Sequence, residues 1–303
     1  MSAGIDMNQE NLLIAAYSLA VVASSLFGGW LPSLFHLTHV RMQLVLSFVG
    51  GMMLGVGVLH MLPHSYVQTG SLDVSLNWML VGLLGMFLLI RTFHFHEHGP
   101  AVAEDAQEST HDASHAHDHH DHGTSSFSTV SWLGVAFGLS LHAFLDGVAL
   151  SAGVISEASH GTVGWAGFGI FVAILLHKPL DALSITTLMQ ARHWSHRSQQ
   201  VVNAGFAMMC PLGAFVFAWW VDGNAVPQHQ LVGIALAISA GIFLCISLSD
   251  LLPEVQFHRH DRLKLSAALI FGVLCAYGIG FLEHDDAHHL PGNTHHHSTT
   301  TEP

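Results

Sequence analysis

Two short stretches of this chain combine residue types that bind metal ions. One reads Leu139-Ser140-Leu141-His142-Ala143-Phe144-Leu145-Asp146-Gly147. The other reads Leu175-Leu176-His177-Lys178-Pro179-Leu180-Asp181. Each holds a His and an Asp four residues apart. On an α-helix, residues i and i+4 stack on one face, so each stretch presents an imidazole and a carboxylate in one stripe. If the two helices are neighbours, His142, Asp146, His177 and Asp181 converge. Two imidazoles and two carboxylates suit Zn²⁺, which prefers tetrahedral N, O and S donors. The same set accepts Fe²⁺, Mn²⁺, Co²⁺, Ni²⁺ or Cd²⁺, because ligand type ranks affinity without setting selectivity. Interhelical hydrogen-bonded glue would use the same residues, but two such pairs on adjacent segments favour metal.

The segments that carry these residues are hydrocarbon. Half of the 303 residues are hydrophobic and 10% are charged. Long apolar runs recur, as in a polytopic membrane protein. An ionisable side chain at mid-membrane costs roughly 2.5–3.5 kcal/mol on insertion scales and by default marks a pathway. A net charge of −13 with eight Lys and Arg argues against nucleic acid as a partner. The three Cys lie inside apolar runs without a CxxC, which supports neither a disulfide framework nor a zinc knuckle. The segment 1–10 has acids but no Lys or Arg, so the first apolar run reads as a retained helix.

Eight spans can be drawn, near residues 12–35, 42–62, 75–95, 130–154, 163–190, 200–221, 230–251 and 263–283. The expected fold is all-α. With both termini outside, seven of the eight basic residues fall on the cytoplasmic side: Arg41, Arg91, Arg192, Arg197, Arg259, Arg262 and Lys264. The eighth, Lys178, lies within a span. The positive-inside rule thus gives an N-out, C-out chain in a cytoplasmic (inner) membrane, with the lipid bilayer as its solvent.

An internal repeat organises the spans. Gly51-Met52-Met53-Leu54 through Leu62-Pro63-His64 aligns without a gap on Gly241-Ile242-Phe243-Leu244 through Leu252-Pro253-Glu254. These are the second and seventh spans, which run in opposite directions. The expected scheme is 3+2+3: residues 1–92 as spans 1–3, 130–190 as spans 4 and 5, and 191–283 as spans 6–8, an inverted repeat of the first three. Inverted repeats are a hallmark of transporters, with the substrate site near the midplane.

Between spans 3 and 4 lies a polar segment, 93–129, too poor in apolar residues to fold alone. It carries His94, His96, His98, His111, His115, His117, His119, His120 and His122 among acids, a composition suited to labile metal capture. A tail at 284–303 holds further His and is expected outside. His60, His64, Asp250 and Glu254, near the ends of spans 2 and 7, are weaker pathway residues that either relay ions or cap helices.

These motifs together resemble the ZIP (ZRT/IRT-like) metal transporters. The fourth helix of that family typically reads HN-x-P-[ED]-G, matched by His142 to Gly147. Its fifth reads H-[EDK]-x-P-[EH], matched by His177 to Asp181, closest to the branch with HK. Leu59-His60-Met61-Leu62-Pro63 resembles the family's LHLLPE, and Ala240 to Glu254 resembles AGTFLY…LLPE. The resemblance spans all eight helices. It implies Zn²⁺ as transported substrate, with Fe²⁺, Mn²⁺ or Cd²⁺ as alternatives, moved into the cytoplasm by alternating access. It implies no catalytic cofactor and no enzyme activity, and leaves the oligomer open, a homodimer included.

The chain departs from the family at a second metal position, where Ala143, Lys178 and Cys210 stand. Ala cannot ligate and an ammonium repels a second cation. One metal is therefore expected, with Lys178 in place of the second. Leu145 and Leu180 replace the motif prolines, and Pro179 comes one place early. Pro179 frees a carbonyl one turn back, which either bends the helix or adds an oxygen ligand. Two other functions use similar residues: an intramembrane zinc-dependent hydrolase, and a membrane metal sensor that does not transport.

Overall fold

The computed structural model describes residues 7–34, 39–94, 127–158, 166–191, 193–257 and 262–285. Among these residues every regular element is a helix. They are α1 (Met7–Leu34), α2 (His39–Val56), a π-helical turn (Gly57–Met61), α3 (Leu62–Thr69), α4 (Leu72–His94), α5 (Phe127–Ala158), α6 (Phe168–Ala191), α7 (His196–Ala207), α8 (Met209–Asp222), α9 (Gln228–Phe257) and α10 (Arg262–Asp285). Helix is what a bilayer demands, because only internal hydrogen bonds satisfy the backbone there. Eight of the resulting rods are long and apolar enough to cross a membrane. The second is α2, the π-turn and α3 in continuous succession; the sixth is α7 followed by α8. Large apolar side chains such as Leu19 and Trp219, 71% and 77% exposed, point out of the bundle.

Several helices differ at their ends from the sequence expectation. α1 begins at Met7, α5 ends at Ala158 and α9 runs to Phe257. Hydropathy reports the apolar stretch, whereas a helix continues into polar sequence until a cap or breaker stops it. α6 begins later than expected, at Phe168, because Gly167 has φ 71°, a left-handed conformation suited to glycine. α3 is closed by Gly70, φ 69°, whose N–H donates to the Tyr66 carbonyl. α7 starts on Ser195, whose hydroxyl accepts from the Ser198 N–H.

The densest packing pairs span 2 with 8, 3 with 7, 4 with 6 and 1 with 5. Glycine makes each approach close. A Cβ on Gly51 would collide with the Leu269 carbonyl, and one on Gly82 with that of Ile238. One on Gly28 would meet the Pro179 backbone, and one on Gly213 the Phe144 carbonyl. These contacts recur in register. Gly51 against Leu269 matches Gly241 against Met79, and Gly82 against Ile238 matches Gly272 against Phe48, every number differing by 190. Gly28 against Pro179 likewise matches Gly213 against Phe144. The step from Phe144 to Pro179 equals that from His142 to His177 and from Asp146 to Asp181.

The central apolar core draws on Val21, Met53, Met61, Leu150, Ile174, Leu236 and Phe243, so at least five spans converge there. The two His/Asp stripes sit against this core.

Candidate metal centre

α5 and α6 bring the two stripes together. One ligand atom from each of His142, Asp146, His177 and Asp181 lies within 4.8 Å of the others. Among the described residues this is the only such group of three or more His, Cys, Asp or Glu. His142 Nε2 is 3.5 Å from Asp146 Oδ2 and 3.7 Å from Asp181 Oδ2. His177 Nε2 is 3.2 Å and 3.8 Å from the same two atoms. A tetrahedral zinc site with bonds of about 2.0–2.2 Å has ligand atoms roughly 3.3–3.6 Å apart. Four of the six edges thus have nearly tetrahedral length.

Local bonds aim these groups. His177 Nδ1 donates to the Ala173 carbonyl at 2.8 Å, one turn back on its own helix. In the neutral ring this leaves the Nε2 lone pair facing the carboxylates. The His177 ring is also held edge-on by Phe243 of α9, centroids 5.9 Å apart. Both ring nitrogens of His142, Asp146 Oδ1 and Asp181 Oδ2 are buried without a hydrogen-bond partner. A buried polar group left so costs about 1–3 kcal/mol. A dication at their common focus would satisfy the atoms that face it, and the donor set fits one.

His142, His177 and Asp181 also line a cavity of about 510 Å³. It extends past Met53 and Leu180 toward Leu46, Ile90 and Ser249, near the helix ends that carry Arg41 and Arg91. Of the two carboxylates, Asp181 is the one that looks into it, with a side chain 17% exposed against 1% for Asp146.

The second-position residues fall around Asp146. Lys178 is wholly buried and its Nζ lies 2.5 Å from Asp146 Oδ2 and 3.7 Å from Asp181 Oδ2. Ala143 packs with Ala182, Ile185, Met189 and Phe206. Cys210 is buried in the central core, and its carbonyl abuts Gly147. The carbonyl freed by Pro179 is that of Leu175. It accepts a 2.8 Å bond from the Ser24 hydroxyl of α1, so it is a helix–helix tie and not a metal ligand.

The pathway residues lie elsewhere. His60, in the π-turn, is buried and its Nε2 donates to the Ala276 carbonyl of α10 at 2.8 Å. His64 Nε2 is 3.5 Å from Glu157 Oε1, and Glu157 Oε2 accepts from the Gly167 N–H at 2.9 Å. Asp250 and Glu254 belong to α9, and their side chains fall outside the described residues, as does that of His94 at the end of α4. His96 to His122 and residues 286–303 also lie outside them. Sequence reasoning did not single out Glu157, Ser24 or Phe206. Glu157 had a signal, an acid closing an apolar stretch. Ser24 and Phe206 had none, since a Ser or Phe in a membrane helix is unremarked until its neighbour is known.

Comparison with known proteins adds an independent observation. The family model described as "ZIP Zinc transporter" matches residues 12–281. Zinc transporter ZIP1 of Homo sapiens is 27% identical over 266 residues, covering 80% of this chain and 79% of that protein. Zinc transporter ZupT of Salmonella paratyphi A is 26% identical over 267 residues, covering 86% and 92%. Zinc transporter ZIP10 of Danio rerio is 27% identical over 162 residues, which span 51% of this chain and only 18% of ZIP10. With an eight-span helical fold and a buried His/Asp cluster at its centre, the chain belongs to the ZIP family, whose members are transporters of metal ions and not enzymes.

Proposed function

We propose that this protein carries Zn²⁺ across a cytoplasmic (inner) membrane into the cytoplasm, binding one ion at a time through His142, Asp146, His177 and Asp181. The observation that carries this reading is the convergence of those four ligand groups in an otherwise apolar core. Names of the relatives, ZIP1 and ZupT, support zinc as the ion. Lys178 against Asp146 supports a single metal, because an ammonium fills the place a second dication would need.

The site opens through its cavity toward the ends bearing Arg41 and Arg91. With those ends cytoplasmic, as the positive-inside rule requires, this is the inward-facing arm of an alternating-access cycle. The 190-residue register between the crossings of spans 2 with 8 and 7 with 3 supports spans 1–3 and 6–8 as inverted repeats around spans 4 and 5. In liposomes containing the purified chain, external Zn²⁺ is expected to accumulate inside, and Asp146→Ala to abolish that flux while the protein still inserts in the membrane. Full flux through Asp146→Ala would overturn the assignment.

A further inference from the structure

Lys178 presents a problem that the metal site alone does not solve. Its charge is completely desolvated, and its two carboxylate partners are both groups that would bind the ion. A dication taking Asp146 competes directly with the ammonium and repels it across a few ångströms of low-dielectric interior. The ammonium must then find another partner without reaching water. Its third partner is aromatic: Nζ lies 5.3 Å from the centroid of Phe206, on α7. That is within the roughly 6 Å range of a cation–π contact but toward its outer limit, and such contacts strengthen when desolvated. Phe206 is itself buried, packed by Ala143, Ala182, Ile185 and Met189.

We propose that Phe206 is a positioning residue for metal binding: its ring receives the Lys178 ammonium when an ion takes Asp146, and so sets the affinity of the site. This rests on the metal-binding reading above. A group changes affinity only by the difference between its interactions in the two states. In the empty site the carboxylate holds the ammonium and the ring is a distant partner. In the loaded site the carboxylate is shared with the ion, the ammonium shifts toward the ring, and the ring becomes its main counter-partner. The difference favours the loaded state.

The test is calorimetric titration of the purified full-length chain with Cd²⁺. Phe206→Leu retains most of the volume and removes the ring; it is expected to weaken Cd²⁺ binding about 10-fold, the equivalent of about 1.4 kcal/mol of ring stabilisation. Phe206→Tyr keeps the ring face and is expected to bind as the unmodified protein does. In a Lys178→Met background Phe206→Leu should change nothing, since no ammonium seeks the ring. An unchanged affinity for Phe206→Leu overturns the proposal. So does an equal loss with and without Lys178, which is the signature of simple packing. Should Lys178→Met fail to fold, the contrast between tyrosine and leucine decides, and equal losses for both overturn it. If the unmodified chain binds no Cd²⁺, the metal-site reading falls and takes this inference with it.

Discussion

His177 shows how much of the chemistry is set by single bonds. Its Nδ1 is committed to the Ala173 carbonyl, so the other nitrogen is the one offered to an ion. Asp181 is placed differently from Asp146: it is the carboxylate that meets the cavity, whereas Asp146 is buried and tied to Lys178. Asp181→Ala is therefore expected to raise the Zn²⁺ concentration for half-maximal liposome flux by at least about 10-fold, since loss of mere outer-shell partners costs 10–100-fold. Ser24 acts on stability instead. Its hydroxyl satisfies the Leu175 carbonyl that Pro179 leaves without an amide. Removing it in Ser24→Ala should cost about 1 kcal/mol and lower the thermal midpoint in detergent by a few degrees.

At the scale of elements, small residues decide which helices touch. Gly147 and Gly213 let α5 and α8 approach until each glycine faces the other helix's backbone: Gly147 the Cys210 carbonyl and Gly213 the Phe144 carbonyl. Gly147→Val would drive three carbons into the backbone of α8, one residue from Asp146. The expected result is a destabilisation of about 1–3 kcal/mol, read as a lower midpoint, together with loss of zinc flux. The same change at Gly85, which has open space where a Cβ would stand, should leave both measurements unaltered. The sequence shows Gly147 and Pro179 as small and breaking residues beside the motifs. It does not show that Gly28 of α1 is what Pro179 packs against, because that partner lies 151 residues away in the chain.

For the whole molecule, the issue is which way the bundle sits. The cavity leads from the site toward the basic helix ends, so the orientation of the chain decides which compartment the ion meets. Asn224, in the turn between α8 and α9, is expected outside, and Thr92, near the end of α4, inside. With an impermeant maleimide, Asn224→Cys should label on intact cells and Thr92→Cys only after permeabilisation; the reverse pattern would turn the cavity outward and with it the direction of transport. Deleting residues 94–122 should leave liposome flux intact if the His-rich segment only captures or senses metal.

The spacing of two His/Asp pairs was enough to place an imidazole and a carboxylate on one face of each helix, because i and i+4 share a helix face in any α-helix. Apolar run lengths were enough for eight spans, because the bilayer fixes both the length and the helical form of a crossing. What the linear chain did not contain is partnership. That Lys178 points at Asp146 with the Phe206 ring in range, that Ser24 takes the Leu175 carbonyl, and that His60 is tied to α10 while His64 meets Glu157 follow from which helices are neighbours and how each is rotated. Those are set by close packing across long sequence separations, where one glycine or one side-chain volume selects the contact, and only the assembled bundle holds that information.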